Sequence, residues 1–546
     1  MDSQFPTENR NRSQGPTIAD GPTPDPDARA RSPARRGRRG SLRARRAERA
    51  GSGIEQQPWR NLRNPWPPTE IVSTDELEAI HDASMTILEE IGMDFLLPEA
   101  REILGRAGAD VESGSERVRF DRAMIAGLVA KAPAEFTLHA RNPARNVHIG
   151  GNSVVFCPIS SPPNASDIEG GRRVGNRTDF RNFLRLTQFF NILHVNAGYP
   201  VEPQDIHASV RHLECIRDVI TLTDKVGFTY SLGRERVMDG FEMNRIGRGI
   251  PAEQFRNEAS LFTVINASSP LRLDHPMLTG IIEFARYGQM TVITPFTLAG
   301  AMAPVTLAGA LAQQNAEALA GIALSQAVRP GAPVVYGGFT SNVDMKSGAP
   351  AFGTPEYMKA AIVGGQLARR YDLPYRTSST NASNCVDAQA AWESVFSLWG
   401  AITGGVNFLK HGAGWLEGGL VASFEKMIID VDLLQMVAEF LRPLDVNDDT
   451  LALDAVREVG PGGHFFGCAH TQARYDSAFY PPIVSDWRNF ETWQEAGAET
   501  ATQRANGIYR QALDEYEAPP LDPAVREELD AFVERRIAEG GVPTDF

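Results

Sequence analysis

The chain has 546 residues, 42% of them hydrophobic and 22% charged, and its formal net charge is −14. This composition is typical of a folded globular protein and excludes a fibrous or fully disordered one. The first 50 residues carry 12 arginines against 6 acidic residues, which leaves 42 basic and 62 acidic residues in the rest. Because the main part is acidic, we do not expect a nucleic-acid partner.

Cysteine usage and hydropathy predict the cellular compartment. Cys157, Cys215, Cys385 and Cys468 are far apart and form no C-x-x-C pair, so neither a disulfide framework nor a structural zinc cluster is expected. No apolar stretch approaches the roughly 18 residues that a membrane span needs. The arginine run near the start is followed by no hydrophobic core of an export signal. We therefore predict a cytoplasmic protein that does not bind membranes.

Residues 1–60 are predicted to form a disordered tail, because they are rich in Arg, Pro and Gly and poor in apolar residues. Next, Ser73 and Glu76 form a capping-box pattern at the start of a helix that Gly92 ends. Short β-type pieces follow before residue 150. We assign residues 61–150 to an N-terminal helical and short β segment.

Residues 151–441 alternate between strand and helix patterns. The eight predicted strands are Val154–Cys157, Ile192–Ala197, Val226–Tyr230, Leu261–Asn266, Thr291–Pro295, Val334–Gly337, Pro374–Ser378 and Val406–Lys410. The clearest helices are Asp205–Thr221, Arg234–Gly247, Pro304–Val328, Thr354–Arg370, Asp387–Ile402 and Val421–Leu441. Eight units of about 35 residues predict an α/β fold, a (β/α)₈ TIM barrel. An open doubly wound sheet is the alternative, which the lack of an early G-x-G-x-x-G motif disfavours.

Residues 442–546 are predicted to be a C-terminal extension that packs on the barrel. A terminal helix there begins at Asp522-Pro523 and ends at Gly540-Gly541. In the preceding loop, His464 and His470 flank Cys468, a set that could bind metal. We favour a polar loop that lines the barrel mouth, and no metal site is predicted.

The carboxyl ends of the strands carry the active site in barrels of this class, and that rule selects the candidate residues. A methylated ammonium has no N–H to donate, so it is held by aromatic faces and negative charge, at about 0.5–2 kcal/mol per face. Residues of both kinds follow the predicted strands. The candidate faces are Tyr336, Phe339 and Trp415, and the candidate countercharges are Asp344 and Glu417. Packing of these aromatics at the barrel mouth is the alternative interpretation.

Three groups of motifs resemble one enzyme family. They are Thr297–Thr306, Ser341–Pro350 with Phe352–Glu356, and Gly462–Phe465 with His470-Thr471. They are similar to motifs of the trimethylamine methyltransferase (MttB-type) superfamily. The resemblance implies a (β/α)₈ methyltransferase that moves a methyl group from a methylated amine to the Co(I) of a cognate corrinoid protein. It implies that the corrinoid (cobalamin) is carried by the partner and that this chain binds no cofactor tightly.

The sequence differs from the founding trimethylamine enzymes of that superfamily, which carry pyrrolysine, because every residue here is standard. A quaternary ammonium already has a neutral amine as its leaving group, so it needs only binding, orientation and desolvation. We therefore expect a quaternary amine such as glycine betaine. For its carboxylate we select His411 and His464 as donors, with Asp167 orienting the cation or a histidine. No catalytic residue is assigned.

Three alternatives stay open from the sequence. The substrate could be trimethylamine itself, with some other activation in place of pyrrolysine. The chain could be a non-catalytic barrel that binds an amine or a corrinoid protein, or an unrelated barrel lyase or hydrolase. We also expect a homo-oligomer.

Overall fold

The computed structural model describes residues 53–544, so nearly all of the predicted disordered tail, residues 1–60, lies outside the described residues. The fold is mixed α/β and is built around an eight-stranded sheet. A short edge strand, Leu62–Arg63, pairs antiparallel with Ser153–Pro158. From there the parallel strands are, in spatial order, Ser153–Pro158, Phe408–Ala413, Tyr375–Ser378, Val334–Gly337, Met290–Ile293, Leu261–Ile265 and Gly227–Phe228.

The sheet is curled, and its regular ladder does not close among the described residues. The predicted second strand, Ile192–Ala197, forms only a single bridge, between Val195 and Val226. A side chain replaces part of its ladder, since the Phe156 N–H donates to the His194 ring at 2.9 Å, whereas the Asn196 amide shares the Val226 carbonyl with the Asn196 backbone N–H. The predicted α/β class is confirmed, whereas the regular second strand is not present.

Helices cover the outer face of the sheet. They are Arg177–Phe189, Ala208–Leu222, Arg234–Arg248, Ala252–Asn257, His275–Arg286, Leu307–Val328, Pro355–Arg370, Ala388–Thr403 and Phe424–Phe440. The six clearest predicted helices are all present. Leu307–Val328 is buried on nearly every side because N-terminal helices pack on its outer face, which explains its alanine-rich, weakly amphipathic sequence.

The N-terminal part combines short helices with two small sheets. Its helices are Thr74–Thr86, Ile87–Ile91, Pro98–Ala107 and Arg122–Val129, and its strands are Met93–Phe95, Asp110–Val111, Arg117–Arg119, Glu135–Leu138 and Val147–Gly150. The capping box is confirmed, since the Ser73 hydroxyl accepts from the Glu76 N–H while the Ser73 N–H donates to the Glu76 carboxylate. The hairpin from Glu135 to Gly150 packs its apolar side against the interior of the main sheet.

Short strands gather beyond the carboxyl ends of the main strands. They are Asn164–Asp167, Gly171–Val174, Trp415–Leu416 and Val421–Ser423 in one sheet, and Leu298–Ala299, Ser341–Val343 and Pro350–Ala351 in another. Because they interrupt the strand-to-helix connections, they surround the end of the sheet where parallel-sheet enzymes bind ligands. A further two-residue strand, Arg272–Leu273, pairs with Met93–Phe95.

The C-terminal part begins after Phe440. Its helices are Asp448–Leu451, Leu453–Val459, Ala469–Arg474, Phe490–Glu495, Ala501–Asp514 and Pro523–Ala538. The last of these has the predicted boundaries, since the Asp522 carboxylate caps its start and Gly540 and Gly541 follow its end with positive φ angles. It packs on helices Ala208–Leu222 and Arg234–Arg248. Within residues 53–544, no helix combines the length and hydropathy that crossing a membrane requires.

Candidate active site

Phe339 lies at the centre of an aromatic cluster beyond the strand ends. Its ring centroid is 5.0 Å from that of Phe296 and 5.5 Å from that of Phe352, with both pairs stacked. Trp415 meets Phe339 edge-on at 6.3 Å, and the His411 ring lies 4.4 Å from Trp415. Three of the residues selected from the sequence, Phe339, His411 and Trp415, are therefore brought together here.

The Trp415 ring is held by the loop after strand Tyr375–Ser378. Its indole N–H donates to the Asn381 carbonyl at 2.9 Å, and the Asn381 amide donates to the Trp415 carbonyl at 2.6 Å. Asn381 in turn donates to the Ser394 hydroxyl at 3.2 Å. Reciprocal hydrogen bonds of this kind fix a ring more firmly than packing alone, because each lost partner leaves a buried polar group unsatisfied.

Lys410, on strand Phe408–Ala413, points into the interior of the curled sheet. It is 2% exposed, and its Nζ donates to the Ser160 hydroxyl at 3.1 Å and to the Ala197 carbonyl. The Nζ also lies 5.2 Å from the Phe228 ring centroid. Burial lowers the pKa of Lys410 to about 7, with a further lowering from the positive charge of Arg376. This pKa brings the equilibrium between the ammonium and the neutral amine of Lys410 close to neutral pH.

Arg376 is the second cation inside the sheet, on the neighbouring strand Tyr375–Ser378. Its guanidinium carbon lies 5.1 Å from the Phe339 ring centroid, and it is 2% exposed. Its hydrogen bond to the Gly338 carbonyl is long, 3.4 Å, and its buried Nε has no partner. Burial lowers the pKa of Arg376 to about 10. Within residues 53–544, neither Arg376 nor Lys410 forms an ion pair with a carboxylate.

His411 occupies a strained position beside these cations. Its φ is 57°, in the left-handed region, where the ladder between its strand and Ser153–Pro158 shifts register. Such conformations in residues other than glycine concentrate at functional sites. Burial and the charges of Lys410 and Arg376 hold the pKa of His411 well below its usual value, so the ring is neutral at pH 7. Its buried Nδ1 has no partner.

A cavity of about 290 Å³ lies beyond the end of strand Gly227–Phe228, and Lys410, Arg376 and Phe339 are not among its lining residues. Its lining includes Ser161 and Tyr199, which follow the two Lys410 acceptors Ser160 and Ala197 in the chain. The Tyr230 hydroxyl, at the end of strand Gly227–Phe228, joins the Ser161 hydroxyl at 2.7 Å on the same wall. The volume is at the small end of the roughly 300–1,000 Å³ that small-molecule pockets occupy.

Tyr336 lies on the other face of its strand. It is fully buried, its hydroxyl donates to the Asn315 side chain at 3.0 Å, and its ring packs beside Tyr371 and Tyr375. Because side chains alternate along a strand, this residue faces the helices and not the interior that contains Arg376. The structure thus separates Tyr336 from the aromatic cluster.

Two of the predicted carboxylates are engaged in ion pairs near the mouth. The Glu417 carboxylate lies 3.0 Å from the Arg172 Nε, and the Asp167 carboxylate lies 2.9 Å from an Arg173 guanidinium nitrogen. The Asp167–Arg173 pair joins two strands of the four-stranded sheet that surrounds the strand ends, and the Glu417–Arg172 pair joins that sheet to the turn after Trp415–Leu416. These contacts give Glu417 and Asp167 a role in positioning that sheet.

Asp344 and His464 lie on exposed loops. The Asp344 carboxylate accepts hydrogen bonds from Lys346 and Ser347, which lower its pKa. The His464 ring neighbours Phe466 at 6.1 Å. The described contacts do not bring either residue together with Phe339. Among residues 53–544, no three or more His, Cys, Asp or Glu side chains are placed to hold a metal ion.

The residues missed from the sequence are Arg376, Lys410, Phe296 and Phe352. The available signal was a single cation in an otherwise apolar or small-residue strand, as in Tyr375–Ser378 and Phe408–Ala413. A charged residue is rarely buried without a partner or a function. That signal selects Arg376 and Lys410 once it is known that their side chains point to the inner face of the sheet.

The fold and this site define a class of small-molecule enzyme, an α/β protein whose strand ends combine aromatic faces with buried cations. A family model described as trimethylamine methyltransferase (MTTB) matches residues 35–541. The chain is 38% identical to a glycine betaine methyltransferase of Desulfitobacterium hafniense strain Y51, over 87% of this chain and 98% of that protein. It is 31% identical to the trimethylamine methyltransferase MttB of Desulfitobacterium hafniense strain DSM 10664 / DCB-2, over 86% and 94%.

A solved structure, the hydroxylamine complex of MtmB, aligns with 84% of this chain and 88% of its own, at 12% identity and a TM-score of 0.47. The family match and the two relatives show that the chain belongs to the trimethylamine methyltransferase family. The predicted family and the predicted methyltransferase class are confirmed.

Proposed function

We propose that the chain transfers a methyl group from a betaine, a quaternary amine that also carries a carboxylate, to a cognate corrinoid protein. One observation carries the choice of substrate. Arg376 and Lys410 are both buried on neighbouring strands of the sheet, and within residues 53–544 no carboxylate pairs with them. The similarity to a protein named glycine betaine methyltransferase agrees with this choice.

A substrate carboxylate fits the chemistry of these two cations. A buried charge without a counterion is unfavourable, and a ligand carboxylate would supply one. The Arg376 Nε is a buried donor without an acceptor. The pKa of Lys410 is about 7, so its side chain is mostly charged only when the pH is below that value. A carboxylate next to Lys410 would raise that pKa and complete both sets of hydrogen bonds. The ammonium ion of trimethylamine would instead be repelled.

The aromatic cluster provides the site for the methylated ammonium. Phe339 contacts the Arg376 guanidinium and also stacks on Phe296 and Phe352. A ligand whose carboxylate meets Arg376 would therefore place its ammonium end among these rings and Trp415. Ring faces attract such a cation without hydrogen bonds. This orientation turns the N-methyl groups towards the open end of the sheet.

The reaction then needs little acid–base chemistry from the chain. The bond between the nitrogen and one methyl carbon breaks, its electron pair stays on nitrogen, and a neutral tertiary amine leaves, so no proton is transferred. The corrinoid protein would supply the reduced cobalt, Co(I), as the nucleophile that accepts the methyl group. The residues of this chain bind the carboxylate, orient the ammonium and exclude water.

The closed (β/α)₈ barrel of the sequence-based prediction is also part of this proposal. The His194 N–H donates to the Phe156 carbonyl at 2.9 Å, and the Asn196 N–H donates to the Val226 carbonyl at 3.0 Å. These contacts support a sheet whose two sides are bridged by the segment from His194 to Asn196. A bridged sheet would enclose Lys410 and Arg376 in one interior.

Calorimetric binding and methyl transfer to a reduced corrinoid protein test the proposal. We expect glycine betaine to bind and to be demethylated, and trimethylamine and choline, which lack the carboxylate, to bind at least about tenfold more weakly. Arg376→Met should weaken betaine binding by about 30-fold or more, since a charged hydrogen bond contributes about 2 kcal/mol. Choline binding should change much less in this variant. Methyl transfer from trimethylamine with none from any betaine would overturn the proposal.

A further inference from the structure

An uncharged aromatic stripe runs along helix Ala388–Thr403 on the outside of the molecule. Trp392 is 61% exposed, Phe396 39% and Trp399 38%. Their spacing of four and three residues places them on one face of the helix. Glu393, the one charged residue of this helix, faces inward and accepts hydrogen bonds from the N–H groups of Ala382 and Ser383.

The stripe continues onto neighbouring elements. The Trp399 ring lies 5.2 Å from that of Phe440, which lies 6.1 Å from that of Trp66, and both Phe440 and Trp66 are exposed. We call Trp66, Trp392, Val395, Phe396, Trp399, Met436 and Phe440 the aromatic face. With about 200 Å² per aromatic side chain, it exposes on the order of 600 Å², at the upper end of what the largest patch on a monomer shows.

A second apolar surface lies on residues 444–479, which we call the arm. Its exposed apolar side chains are Leu444, Val446, Leu451, Leu453, Val456, Phe465, Phe466, Tyr475 and Phe479. Contacts within the arm stabilise its fold. The His470 ring forms a hydrogen bond with the Asp449 main-chain carbonyl, and Arg474 forms an ion pair with the Asp449 carboxylate. Only small parts of it are buried, around Ala455 and Cys468.

The arm leaves and rejoins the molecule at one helix, Phe424–Phe440. It begins just after Phe440, and the chain behind it is anchored by the Asp432 carboxylate, which accepts from the N–H groups of Ile483 and Val484. The arm is therefore a long insertion, and the segments that flank it both contact helix Phe424–Phe440 beside the aromatic face.

We propose that the arm of one copy of this chain covers the aromatic face of a second copy, and that the exchange is reciprocal. The residues of the aromatic face are all uncharged, so this face can meet the arm, whose residues 444–479 include six acidic residues against two arginines, without placing like charges together. A stable interface buries about 800 Å² on each partner, and the face and the arm together exceed that area. Reciprocal exchange about a two-fold axis closes the assembly and leaves neither surface open.

The position of the face favours a second copy over the corrinoid protein. Helix Ala388–Thr403 begins after the carboxyl end of one main strand and ends before the amino end of the next, so its stripe runs down the side of the sheet. Trp66 and Phe440 extend it towards the amino-terminal end. A methyl acceptor has to reach the opposite end, where Trp415 and Phe339 lie. The inference does not depend on the proposed substrate.

Sedimentation velocity of the full chain tests the exchange. We expect the wild-type chain to sediment as a dimer or a larger even assembly. Trp392→Glu/Trp399→Glu on the face and Phe466→Glu/Phe479→Glu on the arm should each lower the sedimenting mass to that of one chain. Ile91→Glu, at a 49% exposed apolar residue outside both surfaces, is the matched control and should leave the mass unchanged.

Mixing the two variants distinguishes the exchange from contact between two faces. The face variant keeps an intact arm and the arm variant keeps an intact face, so a mixture should recover a dimer that neither variant forms alone. If glutamate prevents folding by circular dichroism, Trp392→Gln and Phe479→Gln should instead weaken association at least about tenfold. The inference would be overturned if the wild type were monomeric or if the variants kept the wild-type mass. It would also be overturned if the variants lost only methyl transfer to the corrinoid protein, or if their mixture stayed monomeric.

Discussion

Trp415 and Asn381 are joined by two reciprocal hydrogen bonds, one from the indole N–H to the Asn381 carbonyl at 2.9 Å and one from the Asn381 amide to the Trp415 carbonyl at 2.6 Å. Asn381 is fully buried and does not stack with the aromatic rings itself. It therefore acts on the site by holding Trp415, as a positioning residue.

We expect Asn381→Ala to weaken betaine binding because the Trp415 backbone loses the side-chain amide that holds it, whereas the indole N–H keeps its acceptor, the main-chain carbonyl of residue 381. The lost hydrogen bonds correspond to about 1–3 kcal/mol, or roughly 5- to 150-fold in affinity. Calorimetric titration measures the affinity, and near-ultraviolet circular dichroism reports the mobility of the indole. Asn381→Asp keeps the side-chain shape but places an acceptor against the Trp415 carbonyl in place of the donor, so it should restore none of the affinity that Asn381→Ala loses. Equal affinity of wild type and Asn381→Ala would contradict a positioning role.

The buried Lys410 predicts pH-dependent substrate binding. Its pKa is about 7 in the free protein because burial disfavours the charged form. A bound carboxylate favours the charged form and raises this pKa, so binding takes up a proton at pH values above 7. Affinity should fall by up to about tenfold per pH unit from about pH 7 until the raised pKa is passed.

Titrations at pH 6, 7, 8 and 9 in two buffers of different ionisation enthalpy measure this proton uptake. Lys410→Met should bind more weakly at pH 6 and show no dependence over the same range. A wild-type affinity that is constant from pH 7 to 9 would show that the substrate carboxylate does not meet Lys410.

The aromatic cluster predicts a separation between binding and stability. Phe339→Leu and Trp415→Leu remove ring faces worth about 0.5–2 kcal/mol each for a quaternary ammonium, so betaine affinity should fall roughly 2- to 30-fold per variant. Phe284→Leu is the matched control, since Phe284 is a fully buried ring that packs with Phe241 on the helix side. This control should lower the unfolding midpoint without changing affinity. Unchanged affinity in both cluster variants would remove the cluster from the site.

A buried ion pair supports the loop that carries Trp415. Lys426 and Asp430 are both nearly inaccessible and paired, and Asp430 also accepts from the Gly414 N–H at 2.9 Å. Asp430→Asn keeps an acceptor for Gly414 but leaves Lys426 buried without its counterion, so we expect a loss of about 3–5 kcal/mol in the free energy of unfolding. The double variant Lys426→Met/Asp430→Asn should recover part of this loss. Urea unfolding measures both, and additive losses would show that the pair is not coupled.

Local sequence patterns correctly predicted the helices and strands whose boundaries are set by residues adjacent in the sequence. The cap at Ser73, the helix that begins after Asp522 and most strands of the main sheet follow from spacing and capping residues alone. The segment Ile192–Ala197 is the exception. Its apolar pattern indicates a strand, but the structure gives it a single bridge, Val195 to Val226, and the His194 ring accepts from the Phe156 N–H that a backbone ladder would use. Such competition depends on what lies across from the segment.

The candidate site was predictable only in part, because some of its contacts join residues that are distant along the chain. Phe339, His411 and Trp415 were found because residues that follow parallel strands share one end of a sheet. Tyr336 comes from the same strand region, but its side chain faces the helices. Asp167 and Glu417 have partners on other strands, Arg173 and Arg172, which no local pattern reveals.

The net charge of −14 over 546 residues excluded a basic nucleic-acid-binding protein. By itself, the sequence determined the order of most strands and helices and the enzyme family. Only the tertiary structure decided that Arg376 and Lys410, on neighbouring strands, both point into the interior of the sheet. The reason is physical, since the direction of a side chain follows from strand pairing and curl, which bring together residues distant along the chain.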